Sequence, residues 1–240
     1  MPQPIQSAVR NQLLQAMHPD DFDRIAPFLQ SVELHVHDVM VAAGTKIEFV
    51  HFIESGIGSV VASGVEGKQI ELGHVGREGL VGRAVVLGVD MTTDMTFVQV
   101  AGSAFRMPTA ELAGAMDESA GLRSLLLRYV HVTEVQVAST ALANSLYTIH
   151  ERLARWLLMY HDRLDGDDLS ITHEFLSLML GVRRAGITSE LHVIEGMHII
   201  RATRGNIRVL DRTKLVEIAG DSYGLAEREY ARLLKPAEPF

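Results

Sequence analysis

The rhythm of hydrophobic and polar positions changes several times along this 240-residue chain. In residues 5–30, Ile5, Val9, Leu13 and Leu14 recur at near-helical spacing. Pro19-Asp-Asp then opens a second short helix carrying Phe22, Ile25 and Leu29. Over residues 32–108 the pattern shortens to β-type runs such as VELHVHDVMVA, GSVVASG and TFVQVAGSAFRM. Eleven of the twenty glycines fall in this window. Many short strands with frequent turns predict a sandwich or small barrel. Pro108 and Thr109 begin a short helix predicted to run through Leu112. Residues 118–146 read as one long helix. Leu122, Leu125, Leu126, Tyr129, Val130, Val132, Val135, Val137 and Leu142 are spread around most of its circumference. A helix apolar on nearly all sides is buried on more than one. One face is expected against the β-domain and another against a partner helix, with Thr133, Gln136 and Thr140 making that coiled-coil seam irregular. A further helix over residues 147–163 places Leu153, Trp156, Leu157 and Tyr160 on a core face. Residues 211–234 read as helical and partly exposed.

The most informative stretch is 169–209. Ser170 or Thr172 can cap a helix whose apolar face is Leu176, Met179 and Leu180, and Gly181 ends it. A second helix from about Arg183 is anchored by Ile187, Leu191 and Ile194. That leaves Arg183, Arg184, Thr188 and Ser189 outward near its N-terminus. Two guanidiniums and two hydroxyls there suit phosphates and base edges in a major groove. Residues 201–209 then have the form strand, Gly205-Asn206 turn, strand, with Arg201, Arg204 and Arg208 along them. This is the pattern of a winged helix-turn-helix.

Charge supports the same reading. The chain carries −8 in total, but residues 181–214 hold seven Arg/Lys against three acids. Residues 1–146 carry −7, so the acidity belongs to the other half. Positive charge is concentrated where a duplex would sit. The absence of cysteine excludes disulfides, thiolate catalysis and cysteine-ligated iron–sulfur or zinc sites. No run approaches the roughly 18 apolar residues of a membrane span. The N-terminus has no secretory pattern, so a cytoplasmic protein without membrane contact is expected.

Four fragments in order, FIESGIGSVVAS with GREGLVG, ERLARWLL (151–158), ITHEFLSLMLGVRR (171–184) and DRTKL (211–215) with EREYARLL, resemble the bacterial Crp/Fnr family of transcription regulators. The resemblance spans essentially the whole chain. It implies an α+β protein with a cyclic-nucleotide-binding-like β-jelly-roll in a sensor domain (1–117), a dimerisation helix (118–146) and a winged helix-turn-helix domain (147–240). It further implies a homodimer on double-stranded DNA, with RNA polymerase as a further partner. By position Arg184 matches the family's base-reading arginine, and Thr172, Arg201, Arg204 and Arg208 join the expected contact set. Where the family usually has glutamate and then arginine, this chain has Ala185 and Ser189, which implies a different operator.

The effector pocket implied by the resemblance is divergent. Gly82-Arg83 stands in place of the Gly-Glu pair that holds a cyclic nucleotide's ribose. Asp94-Met95 falls near the Arg-Ser/Thr pair that neutralises its phosphate, and Val137 and Ala138 near the purine contacts. A carboxylate facing a phosphate repels it, so tight cyclic AMP binding is not expected and the effector stays unassigned. No cofactor is implied. A haem would need His74 or His131. The rival enzymatic reading is a cupin-like metal site. It places His35 and His37 on one face of a strand, with Glu33, Glu48 or His51 to complete the set. Gly64-x-x-Gly67-Lys68 is too short for a phosphate loop.

Overall fold

The computed structural model describes residues 3–64 and 69–234; Gly67 and Lys68 of the short glycine motif lie outside them. The N-terminal helices are α1 (Gln12–Ala16) and α2 (Pro19–Ile25). Asn11 caps α1 by accepting from the Leu14 N–H at 3.1 Å. Its amide nitrogen donates to the Ile53 and Gly79 carbonyls, so the same buried side chain ties the helix to the sheet. Pro19 and the acids Asp20 and Asp21 occupy the first turn of α2, where a missing N–H costs nothing and negative charge suits the helix dipole.

The glycine-rich region forms one antiparallel six-stranded sheet: β1 (Gln30–Leu34), β2 (Val39–Val41), β3 (Phe49–Ser63), β4 (Gln69–Val75), β5 (Leu80–Val81) and β6 (Met95–Pro108). The order is β1-β6-β3-β4, with β2 added to β6 and β5 to β3. The long β3 and β6 pair along most of their length, and their register shifts repeatedly between Ile53 and Gly58. Bulges of this kind bend a strand and increase its twist. Here they roll the sheet around Leu34, Ile47, Ile53, Val60, Val75, Val81 and Val98. Gly56 has φ +85°, and a side chain on it would collide with the Val100 carbonyl, so the bend depends on glycine.

The helix after the sheet, α3 (Thr109–Glu118), continues well past Leu112 because Leu112, Ala115 and Met116 all bury against the core. The long helix α4 (Ala120–Leu146) is capped by Ser119, which accepts from the Leu122 N–H. Its apolar circumference is largely consumed within the chain. Leu122, Leu125, Leu126, Tyr129, Val130 and Val132 pack with α1, α2 and the sheet, and the chain's last helix covers another side. Leu127, Leu142 and Leu146 remain exposed, the last at 72%.

The C-terminal half comprises α5 (Ile149–His161), β7 (Asp168–Leu169), α6 (His173–Leu180), α7 (Arg184–Gly196), β8 (Ile200–Thr203), β9 (Asn206–Val209), α8 (Arg212–Ala219) and α9 (Leu225–Leu234). A capping box between Thr148 and Glu151 fixes the start of α5. Leu153, Leu157, Leu176, Ile187, Leu191, Ile194, Ile207 and Leu215 are fully buried in its core. Each contributes roughly 1.5–3 kcal/mol by leaving water. The same core takes in Ile57 and Val61 from β3, with Met95, Phe97 and Val100 of β6 against it. The C-terminal half thus docks on the outer face of the rolled sheet. Helix α9 then returns to α4, where Tyr230 and Leu234 enter the N-terminal core.

Candidate nucleic-acid interface

Thr172 caps α6 by accepting from the Phe175 N–H at 3.1 Å, and Gly181 ends the helix with φ +64°. The turn delivers α7 with Arg183 at its N-cap and Arg184 as its first residue. Ile187, Leu191 and Ile194 are completely buried, which fixes the helix's rotation about its axis. Arg183, Arg184, Ala185 and Ser189 consequently face outward. Thr188 is half-buried, and its hydroxyl lies 3.1 Å from His173 Nδ1. This corrects the expectation of a freely outward hydroxyl: Thr188 also links the two helices of the motif. Burial and the nearby Arg184 and His192 charges push the His173 imidazole below its ordinary range.

The hairpin pairs Ile200 with Val209, Arg201 with Arg208 and Thr203 with Asn206. The two-residue turn is therefore Arg204-Gly205 rather than Gly205-Asn206, with Gly205 at φ +76°. Alternation sends Ile200, Ile207 and Val209 into the core and leaves Arg201, Thr203 and Arg208 exposed. Glu195, near the end of α7, accepts the Ala202 N–H at 2.9 Å and so locks the hairpin to α7.

The basic surface is narrower than residue counting implies. Arg208 is held in an ion pair by Asp168 on β7, which also accepts from Asn206. Those bonds keep the Asp168 carboxyl below its usual range. Arg212 is bound to Asp162, Tyr223 and His161, and Lys214 to Asp211. Among the described residues, Arg183, Arg184, Arg201 and Arg204 are the guanidiniums of this face with no ion-pair partner.

In the N-terminal half, Gly82, Arg83 and Asp94 line one cavity of about 580 Å³, together with Ile47, Leu87, Val89, Met91 and Thr92. Arg83 and Asp94 approach to 3.6 Å, so each neutralises the other within the pocket wall. Met95, Val137 and Ala138 do not line it. Met95 packs toward the C-terminal core, and Ala138 is exposed.

His35 and His37 do not share a strand face, which removes the basis of the cupin-like reading. They follow the end of β1 in an exposed turn where His37 has φ +75° and His35 lies 3.3 Å from Asp38. Among the described residues no group of three His, Asp or Glu side chains is arranged to hold a metal ion. His51 is mostly buried on β3; burial and the Arg106 charge lower its pKa to about 4. Of the two haem candidates, His74 is buried edge-on against Trp156 and Tyr160, and His131 lies 3.2 Å from Glu229.

The sequence reading missed the polar joint between the halves. Glu71 on β4 is 5% exposed and accepts from Ser59 Oγ at 2.5 Å and from the Trp156 indole N–H of α5, with His74 Nε2 at 3.0 Å. Burial pushes its carboxyl up, but His74 and the two donated bonds outweigh that and hold it below its ordinary value. Nearby, Arg163 in the turn after α5 donates to Glu78 at 2.8 Å. A glutamate at an otherwise inward position of a strand was the available signal. No helix among the described residues is long and apolar enough to cross a membrane.

Residues 151–218 match the family model of the Crp-like helix-turn-helix domain. No curated protein matches the chain. Solved structures do: a Crp/Fnr-family transcriptional regulator from Eubacterium rectale (17% identity, 86% of this chain and 97% of that one, TM-score 0.68). FixK2 from Bradyrhizobium japonicum is similar at 13% identity over 80% and 98%, with TM-score 0.70. A Crp-family regulator from Thermus thermophilus reaches 18% over 80% and 98%, with TM-score 0.66. The resemblance read from the sequence therefore holds, in a Crp-like helix-turn-helix domain set within the fold of the Crp/Fnr regulators.

Proposed function

We propose that this chain, a Crp-like helix-turn-helix domain carried on the Crp/Fnr fold, is a cytoplasmic transcription regulator that binds a near-palindromic operator as a homodimer. The observation that carries the reading is the pairing of two surfaces by one hydrogen bond. The Glu195–Ala202 bond holds the wing arginines, Arg201 and Arg204, in fixed relation to Arg183, Arg184 and Ser189 on α7. A helix of this kind reads base edges while the wing grips phosphates. Arg184 and Ser189 are assigned to base edges, and Arg183, Arg201, Arg204 and Thr172 to the backbone. The exposed Leu127, Leu142 and Leu146 of α4 support a dimer seam. Two recognition helices would then address half-sites about one helical turn, roughly 34 Å, apart. RNA polymerase is the expected further partner.

The Arg83–Asp94 pair argues that the sensor cavity takes an effector other than cyclic AMP, since opening the pair for a phosphate would leave Asp94 facing an anion. Selection of bound duplexes from a random library, with and without cyclic AMP, tests the whole reading. A palindromic consensus without the nucleotide is the expected result. Enrichment only with cyclic AMP overturns the assignment of the pocket. The absence of any consensus, from protein whose dimeric state has been verified, overturns the regulator reading.

A further inference from the structure

Leu87, Val89 and Met91 are 54%, 48% and 51% exposed, and all three line the cavity of about 580 Å³ beside Arg83 and Asp94. Val41 and Ile47, both buried, extend the same apolar surface inward. Large apolar side chains gathered round one concave volume mark a binding site rather than ordinary surface. The volume falls within the roughly 300–1,000 Å³ of small-molecule pockets. Local structure shapes the rim. Gly82 at φ +94° and Gly88 at φ +75° bracket a 3₁₀ turn, Arg83–Leu87, in conformations that favour glycine. The turn puts Arg83, Ala84 and Leu87 on the cavity and buries Val86 in the core that holds Leu122, Leu126 and Tyr129 of α4.

Arg83 and Asp94 are the only ionisable side chains on this wall among the described residues. Their charges cancel. An anion drawn to Arg83 meets Asp94, and a cation drawn to Asp94 meets Arg83. Neither group satisfies the other, however. The 3.6 Å between Arg83 Nη2 and Asp94 Oδ2 lies beyond hydrogen-bond range, and Asp94 accepts the Thr92 hydroxyl on its other oxygen. A guanidinium short of an acceptor thus stands beside a carboxylate oxygen short of a donor. A carboxamide supplies both from neighbouring atoms. Its carbonyl accepts from Arg83 and its N–H donates to Asp94, two charge-assisted bonds that bring in no net charge.

We propose that this cavity binds an uncharged amide on an apolar body, with the amide bridging Arg83 and Asp94 and the body covering Leu87, Val89 and Met91. Because Val86 of the same turn packs with α4, occupancy bears on how that helix is held. By linkage it then biases DNA affinity; that last consequence rests on the regulator reading, whereas the binding itself does not.

The test is titration of the full chain with 4-phenylbutanamide, 4-phenylbutyrate and 4-phenylbutylamine, which share a body and differ in charge. The Met91 methyl resonance, assigned with Met91→Leu, reports the cavity itself. The amide shifts it saturably at millimolar concentration, and the acid and the amine bind about tenfold more weakly. Asp94→Asn keeps an acceptor for the amide and leaves Arg83 unopposed, so the acid gains affinity. Arg83→Gln leaves Asp94 unopposed, so the amine gains instead. The two substitutions act on opposite charges, and a folding defect in one leaves the other as the test. Equal binding of all three compounds, a preference for the acid or the amine in the unaltered chain, no shift with the amide, or an unchanged order of affinities in the folded variants would each overturn the proposal. None of these readouts involves DNA, so a failed operator selection and a failed titration are separate results.

Discussion

The Trp156 indole N–H donates to the Glu71 carboxylate across the boundary between the six-stranded sheet and the C-terminal half. Trp156 is the chain's one tryptophan, so its fluorescence reports the joint directly. Trp156→Phe leaves a buried carboxylate short of a donor and is expected to cost about 1–3 kcal/mol. Denaturant unfolding measures the loss.

The pH dependence of that joint has a definite sign. Glu71 is held below its ordinary pKa, so its contribution is fully present above the usual carboxylate range and is lost as pH falls through the depressed value. Trp156 fluorescence should therefore show no Glu71 transition between pH 8 and 5. A transition inside that window would mean that the carboxylate is not held as described.

Arg204 and Arg208 both lie on the wing, but they should behave differently. Arg204→Ala removes an unpaired charge and should flatten the dependence of log affinity on log salt by about 0.9. Arg208→Ala should change the slope much less, because Asp168 already answers that guanidinium. Asp168→Asn should tighten binding to every duplex and steepen the slope. Fluorescence anisotropy across a salt series distinguishes the three.

Arg184→Ala should act on sequence rather than on overall grip. The expected loss is about 1–3 kcal/mol of discrimination at one base pair per half-site. Competition among single-base operator variants measures it; equal discrimination before and after the substitution would show that another residue reads that base.

Cyclic AMP should leave the melting temperature unchanged at millimolar concentration. A ligand present at a hundred times its dissociation constant would stabilise the folded state by about 2.7 kcal/mol, a shift that calorimetry resolves easily. Asp94 beside Arg83 is the reason none is expected.

The helix-turn-helix was legible because its determinants are local. Thr172 as cap, Gly181 as stop and the Ile187–Leu191–Ile194 spacing each act within a few residues. The wing strands followed from alternation, although their turn was placed one residue late: Thr203–Asn206 pairing, not the identity of the Gly-Asn dipeptide, sets the loop. The α4 surface was harder to apportion. An all-round apolar helix says that several faces are covered but not by what, and here α9 takes one of them.

Sequence by itself determined the order of elements, the bounds of the helix-turn-helix and the concentration of arginine near α7, since caps, periodicity and glycine stops are properties of neighbours along the chain. The tertiary structure alone decided which charges are free. Arg208 meets Asp168 from forty residues away, and Glu71 meets Trp156 from eighty-five. Electrostatic pairing depends on distance in space, and no spacing along the chain encodes it.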